Sequence, residues 1–541
     1  MFVPNDGHTQ QTIFNSTDWM DKKVRDKFNK SWAPIFYEHV FKKIDEDPFA
    51  VLYGKTGKPN FPVNILLSLE YIKHMRNCSD IEILEAFYFD YLVNSAVGNK
   101  VLGGINLAER TIYYFRERIY NHCLGNPGAD SLLFSQFINL LHNFAEAAGI
   151  SLNEQRADTT LFMSNIKKAG RISLAYDVLL KAVKAIPEEQ LTGNLSKALL
   201  PDFKTSVLYR SKATEGDSTL EMLLSMCKEA LILLENQPNM LDSKEVRIVK
   251  RFLSEQSIDN PNDEKIIPKA NKDIPSSSLQ SAYDEEATYR KKGNVGQSGY
   301  VLGLSETCAK DNPFQLITDY VVKPNITSDA KILTERLDII HENTGCSDIY
   351  VDGGFHSDDV HEAAGNNNIN IHLTNMTGKE PDNDKIPITD FDIDIETNKI
   401  NKCPGGYIPT RAAVNKGQSS AHFPHDVCNN CPYRDKCQSK SQAKDCVVRI
   451  SEKAIKAAFE RYKIKQGIHE NTSMRAGIEG SNSALKRKGQ NKLAVRGLIK
   501  CSIVSGIKTT AQNIKRIIKY IQGGYKQKNP NVLLNGIIVP I

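Results

Sequence analysis

Apolar residues recur at intervals of three and four in FPVNILLSLEYIKHM, SDIEILEAFYFDYLV and NLAERTIYYFRERIYNHC, a spacing that predicts packed helices between about residues 26 and 148. Ser79 with Glu82, and Asn106 with Glu109, stand at capping-box spacing and predict two helix starts. Residues 1–25 read as a polar lead-in. The rhythm changes near residue 149, where SLNEQRADTTLF predicts a strand that reaches Asp158 and continues into two β-branched residues. Helical spacing returns in AYDVLLKAVKAI, TLEMLLSMCKEALILLENQ and SKEVRIVKRFLSEQ, and a polar, proline-bearing linker follows, so residues 166–283 read as a helical insertion and linker. SGYVLGLSET and QLITDYVVKP are β-rich, a helix is expected over about 328–343, and the apolar run Ile349 to Val351 ends at Asp352. Residues 149–165 and 284–373 therefore read as one core, an α/β mixed sheet flanked by helices. Residues 374–450 read as a polar, cysteine-containing insertion, 451–525 as the core's third-acid helix with basic C-terminal helices, and 526–541 as a tail.

Length and charge sharpen this picture. At 541 residues the chain has room for three or four domains with ample core. Its net charge of +5 is unevenly spread: residues 451–541 carry 18 basic and 4 acidic side chains, while residues 1–450 carry 51 against 60. The basic end is the expected phosphate-binding region, although a basic face also serves simple solvation. No window of 18 apolar residues occurs and the start lacks a basic, apolar leader, so neither membrane insertion nor export is expected. The segment YGKTGKPNF imitates a phosphate loop, but Lys58 is followed by Pro59 rather than a hydroxyl residue, which removes nucleotide binding from that loop.

Glu479 is the one acidic residue among the last 71, a stretch that carries 13 lysines and arginines between Arg475 and Lys528. Arg475, Glu479 and Lys486 stand at i, i+4 and i+11, so on a continuous helix they point within roughly 40° of one another. One face then offers a metal-binding carboxylate between two cations; the plainer reading is a surface ion pair. Asp352 follows its strand and precedes Gly353 and Gly354, which turn toward a helix capped by Ser357 or Asp358. The carboxyl end of a strand is where open α/β sheets place active groups. Asp158 and Asp352 each also suit a turn or cap role. Together with Glu479 they would make a cage for two Mg²⁺ or Mn²⁺ ions about 3.5–4 Å apart. His356, in GGFHSDD, reads as a loop histidine outside the catalytic set, and Asn375 and Asn482 are candidates to line the site.

The chain resembles the DDE transposases of bacterial insertion sequences. Arg475, Glu479 and Lys486 match the Arg-x3-Glu-x6-Lys helix, YVDGGFHS is similar to the second-Asp block, RADTT to the first, and YDEEATYRKKGNVGQSGYVLGLSET to the run into the second core strand. The likeness extends from about residue 25 to 520. The fuller signature has a tyrosine three residues before the Arg, where this chain has Thr472. The all-helical N-terminal module carries Arg110, Arg116 and Arg118, which are able to face DNA, while its acidic residues equally suit an ordinary helical scaffold; the resemblance implies an RNase H-like core and favours DNA binding by that module. It implies Asp158, Asp352 and Glu479 as the magnesium-binding acids, with Arg475 and Lys486 clamping phosphate. It further implies double-stranded DNA partners (terminal repeats and target), a homodimer as the working form, and a bacterial cytoplasmic setting. Two other readings share these residues: a DNA-binding descendant without catalysis, and a metal-dependent nuclease with an iron–sulfur cluster.

That last reading rests on the cysteines. Cys403-x24-Cys428-x2-Cys431-x5-Cys437 supplies four thiols, with Cys446 as a spare. Four sulfurs with a Cys-x2-Cys knuckle suit structural Zn²⁺, which would hold together an insertion lacking its own core. An iron–sulfur cluster or unligated thiols are the alternatives. Disulfides are not expected without an export signal.

Overall fold

The helical spacing of the first quarter is realised in a computed structural model that describes residues 1–10, 15–128, 131–210, 215–258, 266–292, 295–376, 382 and 384–523, excepting the side chains of 292 and 467–471. The expected tail 526–541 and residues 259–265 of the expected linker lie outside the described residues. The chain divides into two units, Met1–Ser347 with Ile478–Ile541, and Asp348–Gly477.

In the first unit, α1 (Val63–Arg76), α2 (Asp80–Phe89), α3 (Glu109–Gly125) and α4 (Leu132–Ala148) follow two shorter helices, Lys22–Asn29 and Trp32–His39. Residues 63–72 of α1 are all buried, so it is a central rather than an amphipathic helix. Its start is capped at a distance, because Glu46 accepts the Val63 amide at 2.9 Å and the Asn64 amide at 3.2 Å. Ser79 and Glu82 form the expected capping box of α2. The pair expected at Asn106 and Glu109 does not form: Ala108 occupies the N-cap of α3, and Asn106 instead accepts the Tyr88 hydroxyl at 3.2 Å.

The strand β1 (Glu154–Phe162) pairs antiparallel with β3 (Val295–Thr307), which also pairs with β2 (Thr288–Lys292) and β4 (Ile317–Pro324). Gly299, at φ +135°, lets β3 pass close to β1; a Cβ there would fall 2.3 Å from the Phe162 carbonyl oxygen. Between β1 and β2 lie α5 (Arg171–Val183), α6 (Gly216–Glu235) and α7 (Lys244–Gln256), the expected helical insertion. It has its own core, which includes Val178, Leu224 and Phe252.

In the second unit, β5 (Asp348–Val351) and β6 (Asn370–Leu373) pair in parallel, with α8 (Asp358–Asn366) between them in the chain. A hairpin β7 (Asp392–Asp394) with β8 (Lys399–Lys402) precedes a four-stranded antiparallel sheet of β9 (Arg411–Asn415), β10 (Gln418–Phe423), β11 (Lys440–Ser441) and β12 (Cys446–Ser451). The turn from β9 to β10 uses Lys416 and Gly417, both at positive φ, as a two-residue hairpin requires. The cysteine-containing region was expected to lack a core. It has one, built from Phe391, Ile400, Phe423, Val448 and Ile450, whose spacing along short strands is too sparse to stand out in so polar a stretch. Ser451 then caps α9 (Glu452–Ala476) by accepting the Ala454 amide.

The chain re-enters the first unit with α10 (Ile478–Leu485), a π-helical turn (Lys486–Gln490) and α11 (Leu498–Ile521). Ile514 and Ile517 of α11 join the same core as Phe36 and Leu140, so the last helix completes the N-terminal helical domain. Two acids from the DEE block hold its start: the Gly497 amide donates to Asp284 at 3.1 Å and the Leu498 amide to Glu286 at 2.8 Å. The fold is mixed α/β, with antiparallel strand pairs in both units and a parallel pair in the second, consistent with the RNase H-like expectation.

Candidate active site

Arg475, Glu479 and Lys486 do not share one continuous helix. Arg475 lies in the last turn of α9, Gly477 interrupts the helix, Glu479 lies in the first turn of α10, and Lys486 begins the π-helical turn. Two glycines in RAGIEG weaken helix propensity where the break falls. The division between the units falls there too, and the five candidate residues are shared between them: Asp158, Glu479 and Lys486 in the first, Asp352 and Arg475 in the second.

In the first unit, residues of β1 alternate between faces, so Arg156 and Asp158 project to the same side. Arg156 stands opposite Glu306 of β3 and donates to it from Nε at 2.9 Å. Glu306 is 1 % exposed and is also the acceptor for Arg516 of α11 at 2.9 Å and for the Ser481 hydroxyl of α10. Burial pushes the Glu306 carboxyl up, but the Arg516 and Arg156 guanidiniums outweigh it and hold the pKa below the ordinary value. One buried carboxylate thus ties together the strand of Asp158 and the helix of Glu479.

A second tie reaches Asp158 itself. Asn482 Nδ2 donates to Asp158 Oδ2 at 3.0 Å. Asn482 lies three residues beyond Glu479 and so on the same side of α10, which turns the Glu479 position toward the Asp158 position. Asp158 is half-buried, while Glu479 and Lys486 are exposed. Nearby, burial and then the charges of Lys515 and Lys508 lower the Lys488 pKa to about 8.

In the second unit, Asp352 leaves β5 and caps a 3-10 turn, accepting the Gly354 amide at 2.9 Å. Its other oxygen faces Arg475 Nη2 at 3.3 Å. Asn375, just beyond β6, accepts the Gly353 amide at 2.7 Å and fixes the turn from the far side. Ser357 is the cap of α8, as expected. His356 packs edge-on against His361, and burial followed by that neighbour lowers its pKa.

The expected DNA-facing arginines of α3 divide. Arg110 is exposed. Arg116 is consumed by Glu70 at 2.7 Å and by both oxygens of Asp80 at 2.8 and 2.6 Å, and Arg118 stacks on Tyr53 with its guanidinium 4.6 Å from the ring centre. Arg116 is therefore a structural residue, drawn inward by two acids that helical spacing alone does not bring together.

The four expected zinc ligands line one small cavity of about 20 Å³, which Tyr407, Phe423 and Arg434 also border. Cys446, expected as a spare, is fully buried with its sulfur 3.5 Å from His425 Nδ1, and its charge raises the Cys428 pKa after burial has done so. Among the described residues, no three His, Cys, Asp or Glu side chains stand as a group that could hold a metal ion. By residue type, the cavity at the cysteines is lined by four thiols, the kind of donor that structural zinc takes. Among the described residues, no helix is long and apolar enough to cross a membrane.

Arg156, Glu306, Ser481 and Arg516 were not identified from the sequence. A charged residue ending the apolar run of VLGLSET was the one visible signal for Glu306. Residues 402–518 match the family model for the transposase DDE domain, which takes in the four cysteines, Arg475, Glu479 and Lys486. No curated protein and no solved structure matches the chain.

Proposed function

We propose that this chain, a DDE transposase by its matched domain, binds the terminal repeats of an insertion sequence and then cleaves and rejoins DNA strands at a site that uses Asp158, Asp352 and Glu479. The observation that carries the reading is the Asn482 to Asp158 hydrogen bond, which links the first expected acid to the helix of the third. Divalent ions bound by these acids would lower the pKa of the attacking water or 3′-hydroxyl and stabilise the departing oxygen. Asn482 would keep Asp158 oriented, and the ion pair with Arg475 would do the same for Asp352. Lys486, exposed beyond α10, is suited to contact a backbone phosphate as a point charge.

The four thiols on one cavity support a structural zinc ion held by Cys403, Cys428, Cys431 and Cys437. A homodimer is the natural working form, since two DNA ends must be brought together.

The reading is tested by Mg²⁺-dependent cleavage and joining of the encoding element's terminal repeats, comparing the wild type with Glu479→Gln. Cleavage by the wild type that is lost in the variant is the expected result. Specific binding with no cleavage by either protein would replace the proposal with a DNA-binding descendant.

A further inference from the structure

Three helices of the first unit meet around a cavity of about 850 Å³ that the proposed chemistry does not use. Its walls include the stripes Glu70, Lys73 and His74 of α1 with Asn77 at its end, Tyr113, Arg116, Glu117 and Tyr120 of α3, and Lys500, Ile503, Val504 and Ile507 of α11. Each stripe follows the spacing i, i+3, i+4, i+7, the face that a helix ordinarily buries with apolar side chains. Here those faces carry charge and leave a space of a size that takes a small organic ligand.

The charges are not balanced. Both carboxylates that enter the cavity from α1 and the start of α2 are consumed: Glu70 by Arg116 at 2.6 Å, and Asp80 by Arg116 at 2.6 Å and Lys73 at 2.7 Å. Lys492, Lys500 and Lys508 remain, against Glu117 on the opposite wall. Lys508 is 6 % exposed, its ammonium donates to the Lys488 carbonyl, and among the described residues it has no carboxylate partner. Burial, followed by the charge of Lys73, lowers its pKa to about 8. A buried cation left without an anion is costly, and an anion entering the cavity would remove that cost. Aromatic surface lies beside the cations: Lys500 Nζ is 4.7 Å from the centre of the Tyr120 ring, and Tyr113 is exposed. Stacking rings next to lysines are what a single nucleotide unit requires, with its base against the ring and its phosphate against the ammonium groups.

We propose that this cavity binds one nucleotide unit, its phosphate held by Lys492, Lys500 and Lys508 and its base against Tyr113 or Tyr120. Two sources share that chemistry, an unpaired nucleotide of a DNA strand and a free nucleotide; the first rests on the transposase reading and the second does not.

The test uses the full-length chain carrying Glu479→Gln, without added Mg²⁺ or Mn²⁺ and without chelator, so that no strand is consumed, the result is independent of catalysis and the zinc proposed for the cysteine-containing region is retained. Anisotropy of a labelled oligothymidylate is measured for that protein and after adding Lys500→Glu or Lys508→Met, with a terminal-repeat duplex as control and dTMP and ATP as competitors. Lys508→Met exchanges a buried cation for an apolar side chain of similar length, and retained duplex binding reports that the variant has folded. Each added variant is expected to weaken oligothymidylate binding about tenfold while duplex binding changes less than about twofold. Displacement by dTMP or ATP at affinities matching the oligonucleotide would assign the cavity to a free nucleotide, and failure of both to compete would assign it to an unpaired strand. Equal oligothymidylate affinity in all three proteins, or parallel loss of duplex binding, would overturn the proposal. Absence of terminal-repeat cleavage in the earlier assay would leave this measurement unaffected.

Discussion

Asn482 Nδ2 lies 3.0 Å from Asp158 Oδ2, so the helix that carries Glu479 holds the carboxylate of β1 directly. An amide in this position orients the carboxylate without adding charge, as outer ligand partners do around metal sites. Asn482→Ala is expected to lower strand cleavage about 10- to 100-fold and to raise the Mg²⁺ concentration needed for half-maximal rate. A Mg²⁺ titration of terminal-repeat cleavage separates the two effects. An unchanged Mg²⁺ midpoint would mean that Asn482 does not act through Asp158.

Glu306 joins three elements through Arg156, Arg516 and Ser481, and it is buried. Removing one member of such a network leaves buried guanidiniums without their anion. Glu306→Ala is expected to cost about 3–5 kcal/mol in denaturant unfolding. The pH dependence follows from the direction of its shift. Burial raises the carboxyl pKa and the two arginines lower it further than burial raises it, so the folded value lies below the unfolded one. The unfolded state then binds more protons, and the contribution is full above the unfolded pKa and lost as pH falls through the folded one. Glu306→Gln is expected to flatten the acid limb of the stability curve; an equally steep limb would assign that limb to other carboxylates.

The three proposed acids stand out as candidates in the sequence because each is marked by local context: Asp352 by an apolar run and two glycines, Asp158 by the RADTT block, Glu479 by the absence of other acids around it. The helical insertion was legible for the same reason, since α5, α6 and α7 repeat at helical spacing. What could not be read is what depends on distant pairing. Arg116 looks exposed on α3 until α1 and α2 place Glu70 and Asp80 beside it. The one-residue break at Gly477, between α9 and α10, is not registered by the periodicity of apolar positions. Arg516 is one cation in a basic run, and only the 210-residue return to Glu306 distinguishes it.

Arg475 faces Asp352 at 3.3 Å, with its side chain mostly buried. The planar fork of arginine can contact a carboxylate and a phosphate together, and a lysine cannot reproduce that geometry. Arg475→Lys is therefore expected to reduce cleavage at least tenfold while terminal-repeat binding, read by gel shift, stays within about twofold. Equal loss of binding and cleavage would make Arg475 a DNA-anchoring residue instead.

Four thiols line one cavity, and Cys446 approaches His425 just outside it. If zinc is the occupant, elemental analysis of the purified protein should find it in stoichiometric amount, with no absorption near 400 nm of the kind an iron–sulfur cluster gives. Cys428→Ser should abolish zinc retention and lower the melting temperature of the cysteine-containing region, since structural zinc contributes directly to folding. Cys446→Ser should retain the metal, because the four proposed ligands complete a tetrahedral set without it. Loss of zinc in Cys446→Ser with retention in Cys403→Ser would instead move the ligand set toward Cys446 and His425, the pair that β12 and the short helix His425–Asn429 bring together.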